Sequence, residues 1–213
     1  MYLIAFFSIL SYLLGSFSTA FWFCKWFCNI DIRQVGSKCA GATNAWRIGG
    51  FKIGISVFIL DAMKTFIAVQ LIYFIPDITL NSEFYLPIKI LFGMCSVIGH
   101  IFPLYSGFKG GKSVASMFGL FFGINPLIAT IVLGIFIITI LLLQIISLSS
   151  ICAAFSYPLI TIMFNSQKTI TLTVFSIFAC VLIVITHRKN IGRLIRGEEK
   201  KLFYSTRQHN INE

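Results

Sequence analysis

From residue 113 to residue 167 the chain carries no Asp, Glu, Lys or Arg, a run of 55 positions. A water-soluble fold of 213 residues cannot hide such a run, because a domain of that size leaves much of its surface in water. Further uncharged stretches cover residues 1–24, 90–108 and 169–186. Stretches of this length read as membrane-spanning helices, the structure in which each backbone polar group finds its partner inside the segment. The fold class expected is all-α, a polytopic integral membrane helical bundle. With 57% hydrophobic and 11% charged residues, against about 25% charged in an average soluble domain, the chain is neither intrinsically disordered nor a zinc-ribbon or disulfide scaffold.

The formal net charge of +10 arises from 17 basic and 7 acidic residues, and its placement matters more than its size. Lys25, Arg33, Lys38, Arg47 and Lys52 sit in the first polar segment. Arg188, Lys189, Arg193, Arg196, Lys200, Lys201 and Arg207 sit in the tail. Such clusters hold loops in the cytoplasm, and no soluble basic module is present to bind nucleic acid. The six cysteines are scattered without zinc-ligand spacing and read as small buried hydrophobes. With the first Lys at residue 25, the basic start of a cleaved signal peptide is missing, so the first helix is expected to stay, its start facing outward.

Along the chain, a first helix is expected over residues 3–26, then a polar, glycine-rich segment over 29–50, a second helix over 51–75 and a third over 88–102. The second carries Asp61 and Lys64 one turn apart, read as an intramembrane ion pair or as support for Arg47 or Lys112. Beyond residue 113, breaks are expected at Asn125-Pro126, at the serine cluster 147–150 and at Asn165-Ser166-Gln167, leaving segments near 114–124, 127–146, 151–164 and 169–186. An outward N-terminus and a basic cytoplasmic C-terminus require an odd number of crossings; seven account for all the breaks. No repeat or second domain is evident, so residues 1–213 read as a single membrane domain with a mobile tail from about residue 202.

Three polar stretches fall on the cytoplasmic side by charge. The first runs from Asp31 through Gly36-Ser37-Lys38-Cys39-Ala40-Gly41-Ala42-Thr43-Asn44 to Arg47. Glycine lets amides approach an anion, hydroxyl and amide side chains add donors, and Arg adds a planar fork; a capped turn between helices is the plainer alternative. The second runs from Gly99-His100 through Phe108-Lys109-Gly110-Gly111-Lys112-Ser113 into a helix start, where unpaired amides attract phosphate. It is no nucleotide P-loop, since that spacing needs Gly where Ser106 stands. The third runs from His187-Arg188-Lys189-Asn190 to Gly197-Glu198-Glu199. Taken alone it is a topology-setting basic tail, but His187 and Asn190 lie one turn apart at the membrane edge. Metal catalysis is disfavoured, since His100, His187 and His209 have no carboxylates spaced with them as ligands, and no Gly-x-Ser-x-Gly elbow occurs.

At these stretches the chain resembles the acyl-phosphate:glycerol-3-phosphate acyltransferases, the PlsY family of bacterial membrane enzymes. That family shows Gly-Ser-Gly-Asn-x-Gly-Ala-Thr-Asn followed by Arg, then Gly-His-x-Phe-Pro with Phe-Lys-Gly-Gly-Lys-Gly-Val-Ala-Thr, then His-Arg-x-Asn-Ile-x-Arg-Leu-x-x-Gly-x-Glu. All three occur here in order. The chain departs from them with Lys38 and Cys39 in place of Gly and Asn, and Ser113 and Ser116 in place of Gly and Thr.

The resemblance implies a seven-helix fold and transfer of a fatty acyl group from acyl phosphate to glycerol 3-phosphate, giving lysophosphatidic acid, at the bacterial inner membrane with the site facing the cytoplasm. It implies catalytic roles for Ser37, Arg47, Lys112, His187 and Asn190. It places Gly41, Ala42, Thr43, Asn44, Gly110, Gly111, Arg188 and Glu199 around substrate phosphate. It requires the two substrates and the bilayer, but no cofactor, metal, nucleic acid or obligatory protein partner. The competing class is a transporter of a phosphorylated solute, which glycine-broken segments and the intramembrane Asp61/Lys64 pair would also suit.

Overall fold

The first uncharged stretch is interrupted near its middle. In a computed structural model describing residues 1–164 and 169–202, α1 (Tyr2–Ser16) and α2 (Thr19–Cys28) are separated at Phe17-Ser18. The single helix expected over 3–26 is thus two, and the carbonyl of Phe17 freed at the interruption accepts from Lys64 Nζ at 2.9 Å. The polar segment also differs from expectation. Helix α3 (Ala42–Gln70) begins inside it, with Gly41 as its extended N-cap, and continues into a 3₁₀ turn at Leu71–Phe74. At Gly50, φ 79° and ψ −179° bend α3, a combination essentially confined to glycine.

Helix α4 (Tyr85–Ile101) and a 3₁₀ turn at Leu104–Ser106 follow, then α5 (Val114–Ile124), α6 (Pro126–Leu143), α7 (Ile146–Phe164), α8 (Ile170–Thr186) and α9 (Arg188–Ile195). The Asn125-Pro126 break is as expected, with Pro126 at the first helical position, where its missing N–H costs nothing. The serine cluster does not break the chain. Ser149 and Ser150 return their hydroxyls to the carbonyls of Ile145 and Ile146, so α7 runs through them, and the interruption falls at Gln144 in the left-handed region. The break expected at 165–167 and the mobile tail expected from about 202 fall largely on residues 165–168 and 203–213, outside those described.

Among the described residues all regular structure is helical. Five helical segments are long and apolar enough to cross a membrane, or six if α8 and α9, bent by 63° at His187, count as one. Helix α5, at 11 residues, is shorter than a full span. The chain divides into two compact units, Met1–Pro126 and Leu127–Glu213.

In the first unit α1 packs along α4 and α3 along α5. The α1–α4 approach is close because a Cβ at Gly15 would strike the Ser96 carbonyl and one at Gly99 the Tyr12 carbonyl; small residues at the seam let the backbones meet. Ile32 and Ala40 of the first polar loop are buried with Ala20, Phe21 and Cys24 of α2 and with Ala45 and Val57 of α3, which anchors the loop on an apolar floor. In the second unit α7 packs against α8, and α8 meets α9.

Candidate active site

Asn44 shapes the first polar stretch. Its buried side chain donates to the carbonyls of Ile32 (3.2 Å) and Val35 (3.0 Å), and its Oδ1 accepts from the amide of Ser37 (3.1 Å). The side chain expected to meet phosphate is therefore spent on folding residues 32–37 back over the start of α3, and this leaves Ser37 exposed at the loop's rim. Gly41 faces open space, beside the first amides of α3, Ala42 and Thr43, which have no acceptor within the helix. Thr43 and Arg47, four residues apart, share one helix face.

The second stretch is tied to the first. Ala40 N–H donates to the Gly110 carbonyl at 3.3 Å, and the Cys39 thiol lies 3.9 Å from the same oxygen. Arg33 holds Asp31 through two bonds, Nε to Oδ1 at 2.9 Å and Nη2 to Oδ2 at 2.8 Å. It also donates to the Ser106 carbonyl at 3.0 Å and lies 4.2 Å over the Phe21 ring. The guanidinium beside Asp31 holds its carboxyl down to about 2, so the latch persists through the ordinary acid range. Burial pushes the Cys39 thiol up, against the opposing pull of Lys112, and a thiol kept protonated is a poor nucleophile. Within the first unit, then, Ser37 is tied to residues 41–44 through the Asn44 side chain, and that loop to Gly110, Gly111 and the segment carrying Lys112 by the Ala40–Gly110 backbone bond, with Arg47 one turn further along α3.

In the second unit the third stretch is organised by Glu199. Its Oε1 accepts from Asn190 (2.6 Å) and from Ser147 of α7 (2.8 Å), and its Oε2 accepts from Arg193 (2.6 Å). Burial alone would raise this carboxyl, but the three donors outweigh it and hold it below the usual range. A carboxylate so engaged is no phosphate ligand; it fixes Asn190. His187 is buried, and its Nδ1 lies 2.8 Å from the Ile183 carbonyl, which makes Nδ1 a donor. Arg188 is exposed while His187 and Asn190 are buried, so these three do not share one environment.

Both departures from glycine in the motifs stand in the left-handed region, Lys38 at φ 57° and Ser113 at φ 61°. The glycine pattern is thus a backbone requirement that this chain meets at some conformational cost. Ser113 recovers part of it by donating to the Val97 carbonyl at 3.2 Å.

The family model of glycerol-3-phosphate acyltransferases matches residues 5–197. The chain belongs to that family. A glycerol-3-phosphate acyltransferase of Chlorobium luteolum is 36% identical over 91% of this chain and 94% of its own. Crystal structures of PlsY (YgiH), an integral membrane glycerol 3-phosphate acyltransferase, match in the glycerol 3-phosphate form with TM-score 0.81 at 34% identity. The lysophosphatidic acid form gives 0.79 at 32%; each match covers 93% of this chain and 94% of the other. The chain is accordingly an all-helical, multi-pass integral membrane protein of an acyltransferase family. The carrier alternative also loses one of its two supports, because the Asp61/Lys64 pair is taken up by Thr19, the Phe17 carbonyl and His100. Sequence reasoning missed those three partners. Only His100, beside glycine in the second stretch, left a signal that could have been followed.

Proposed function

We propose that this acyltransferase uses acyl phosphate as donor, acylates the 1-hydroxyl of glycerol 3-phosphate and works at a bacterial inner membrane with its polar loops in the cytoplasm. Counting the short α5 and the 17-residue α8 as crossings gives seven, with the N-terminus outside and the C-terminus inside. The observation that carries the reading is the backbone link from Ala40 to Gly110, which unites a glycine loop bearing Ser37 with one leading into Lys112.

Acyl phosphate is a mixed anhydride and already activated, so the protein has to bind phosphate, align hydroxyl with carbonyl and stabilise developing charge. Arg47, Lys112 and the amides of Ala42, Thr43 and Gly110 suit phosphate oxygens, and the exposed Ser37 hydroxyl suits a further bond to substrate. The hydroxyl oxygen attacks the acyl carbon, the bond from that carbon to the phosphate oxygen breaks, and the hydroxyl proton passes to the departing phosphate. No acyl-enzyme forms, in keeping with a raised Cys39 thiol.

The test is purified protein with palmitoyl phosphate and glycerol 3-phosphate. Phosphate release that requires both substrates and yields lysophosphatidic acid is expected. Release without glycerol 3-phosphate, or an acyl group trapped on Ser37 or a cysteine after rapid quenching, overturns the scheme.

A further inference from the structure

Asp61, Lys64 and His100 are 1%, 9% and 6% exposed, within helices long and apolar enough to span lipid. Apolar residues there would cost less to bury, so the three invite an explanation beyond packing. Asp61 Oδ1 accepts from Thr19 at 2.9 Å and lies 2.7 Å from Lys64 Nζ. Lys64 Nζ also meets the Phe17 carbonyl at 2.9 Å and His100 Nδ1 at 3.0 Å. An ammonium only donates, so Nδ1 accepts, and the His100 ring is neutral with its proton on Nε2. The same residue supports the second glycine stretch. The His100 carbonyl accepts the Gly111 amide at 3.2 Å, a Cβ at Gly111 would collide with Nε2, and one at Gly110 would collide with that carbonyl.

We propose that Asp61, Lys64 and His100 form a positioning device for the loop that carries Lys112. Asp61 anchors the Lys64 ammonium, Lys64 fixes the tautomer and tilt of the His100 ring, and the ring edge and carbonyl form the floor under Gly110-Gly111. The α1–α2 interruption belongs to the device, since it frees the Phe17 carbonyl as the third acceptor for Lys64. The proposal rests on the acyltransferase reading only in assigning Lys112 to substrate phosphate.

His100→Asn tests it, because the shorter amide keeps an acceptor for Lys64 and removes the edge under Gly111. The control is Thr65→Val, which deletes the neighbouring buried bond between α3 and α4 (Thr65 Oγ1 to Ser96 Oγ, 2.9 Å) without touching the loop. In full-length protein in detergent, His100→Asn is expected to speed hydrogen exchange across residues 109–113 at least five-fold. It should raise KM for glycerol 3-phosphate at least five-fold with kcat within two-fold, while Thr65→Val does neither. If His100→Asn does not fold, the isosteric Thr19→Val carries the test with the same signs at about two-fold. Unchanged exchange in the folded variant, or equal changes in Thr65→Val, overturns the device. A wild-type chain that neither binds nor acylates glycerol 3-phosphate overturns the assignment of Lys112 instead, and the exchange result still decides the positioning role.

Discussion

Asp61 and Glu199 are both carboxylates ringed by donors, in different units of the chain. Asp61 joins Thr19 of α2 to Lys64 of its own helix, while the His100 ring of α4, 3.4 Å away, is bonded to Lys64 and does not donate to the carboxylate; all are buried. Glu199 gathers Ser147 from α7 together with Asn190 and Arg193 from α9, and its cation is 38% exposed. The first has no solvent to fall back on, because removing one partner strands a charge among apolar side chains. The second carboxylate is also buried, at 6%, but its cation reaches water, so the Arg193 bond is the one that water can replace. The cost of disrupting each cluster should differ accordingly.

The sharpest way to break this contrast is Lys64→Met. Leaving Asp61 buried and unpaired is expected to cost about 3–5 kcal/mol, whereas Asp61→Asn combined with Lys64→Met recovers most of it. Unfolding in detergent measures both, and equal losses would mean that the pair is held by shape and not by charge. Lys112→Ala and Arg47→Ala come next: acyl transfer is expected to fall about 100-fold, about 2.7 kcal/mol of transition-state stabilisation, with the melting temperature unchanged. Loss of folding in either would erase the division of the first unit's cations into holders and binders.

Glu199→Gln is expected to cost about 1.5–3 kcal/mol, from weaker bonds to Arg193 and Asn190. The matching pH effect follows from a folded carboxyl held below its unfolded value. Its contribution is complete above the unfolded value and is lost as pH falls through the folded one, so acid titration monitored at Asn190 should release that side chain only below the ordinary carboxylate range. Smallest of all, Lys38→Gly should stabilise the protein by about 0.5–1 kcal/mol by relieving a left-handed residue. Ser113→Gly should be near neutral, because it also forfeits the bond to Val97, worth about 1 kcal/mol.

Much of this was legible in the residues, and what was not has a common cause. Uncharged runs located the apolar segments, and Pro126 marked a helix start, because lipid and a missing N–H act locally. The phosphate-friendly stretches were recognisable because glycine beside cations needs no partner to be noticed. The interruption at Phe17 was not, since the group that takes its freed carbonyl, Lys64, lies 47 residues away. The serine cluster misled for the opposite reason: hydroxyls that break a polar turn can equally well bond back along a helix, and neighbouring sequence does not decide which. Asn44 and Glu199 enter the candidate site through the resemblance, which carries position and not what each side chain bonds. Their side chains instead hold Ser37 and Asn190 in place.

Gly50 gives α3 an elbow eight residues after its start, and Arg47 stands on the short forearm. A Cβ there would meet no neighbouring atom, so crowding does not reserve the position; the twist of the chain alone does. The aim of one guanidinium is therefore set separately from the long shaft that sits in lipid. On the proposed assignment of Arg47 to substrate phosphate, changes in the forearm would alter binding while the bilayer-facing part of the helix stays as it is.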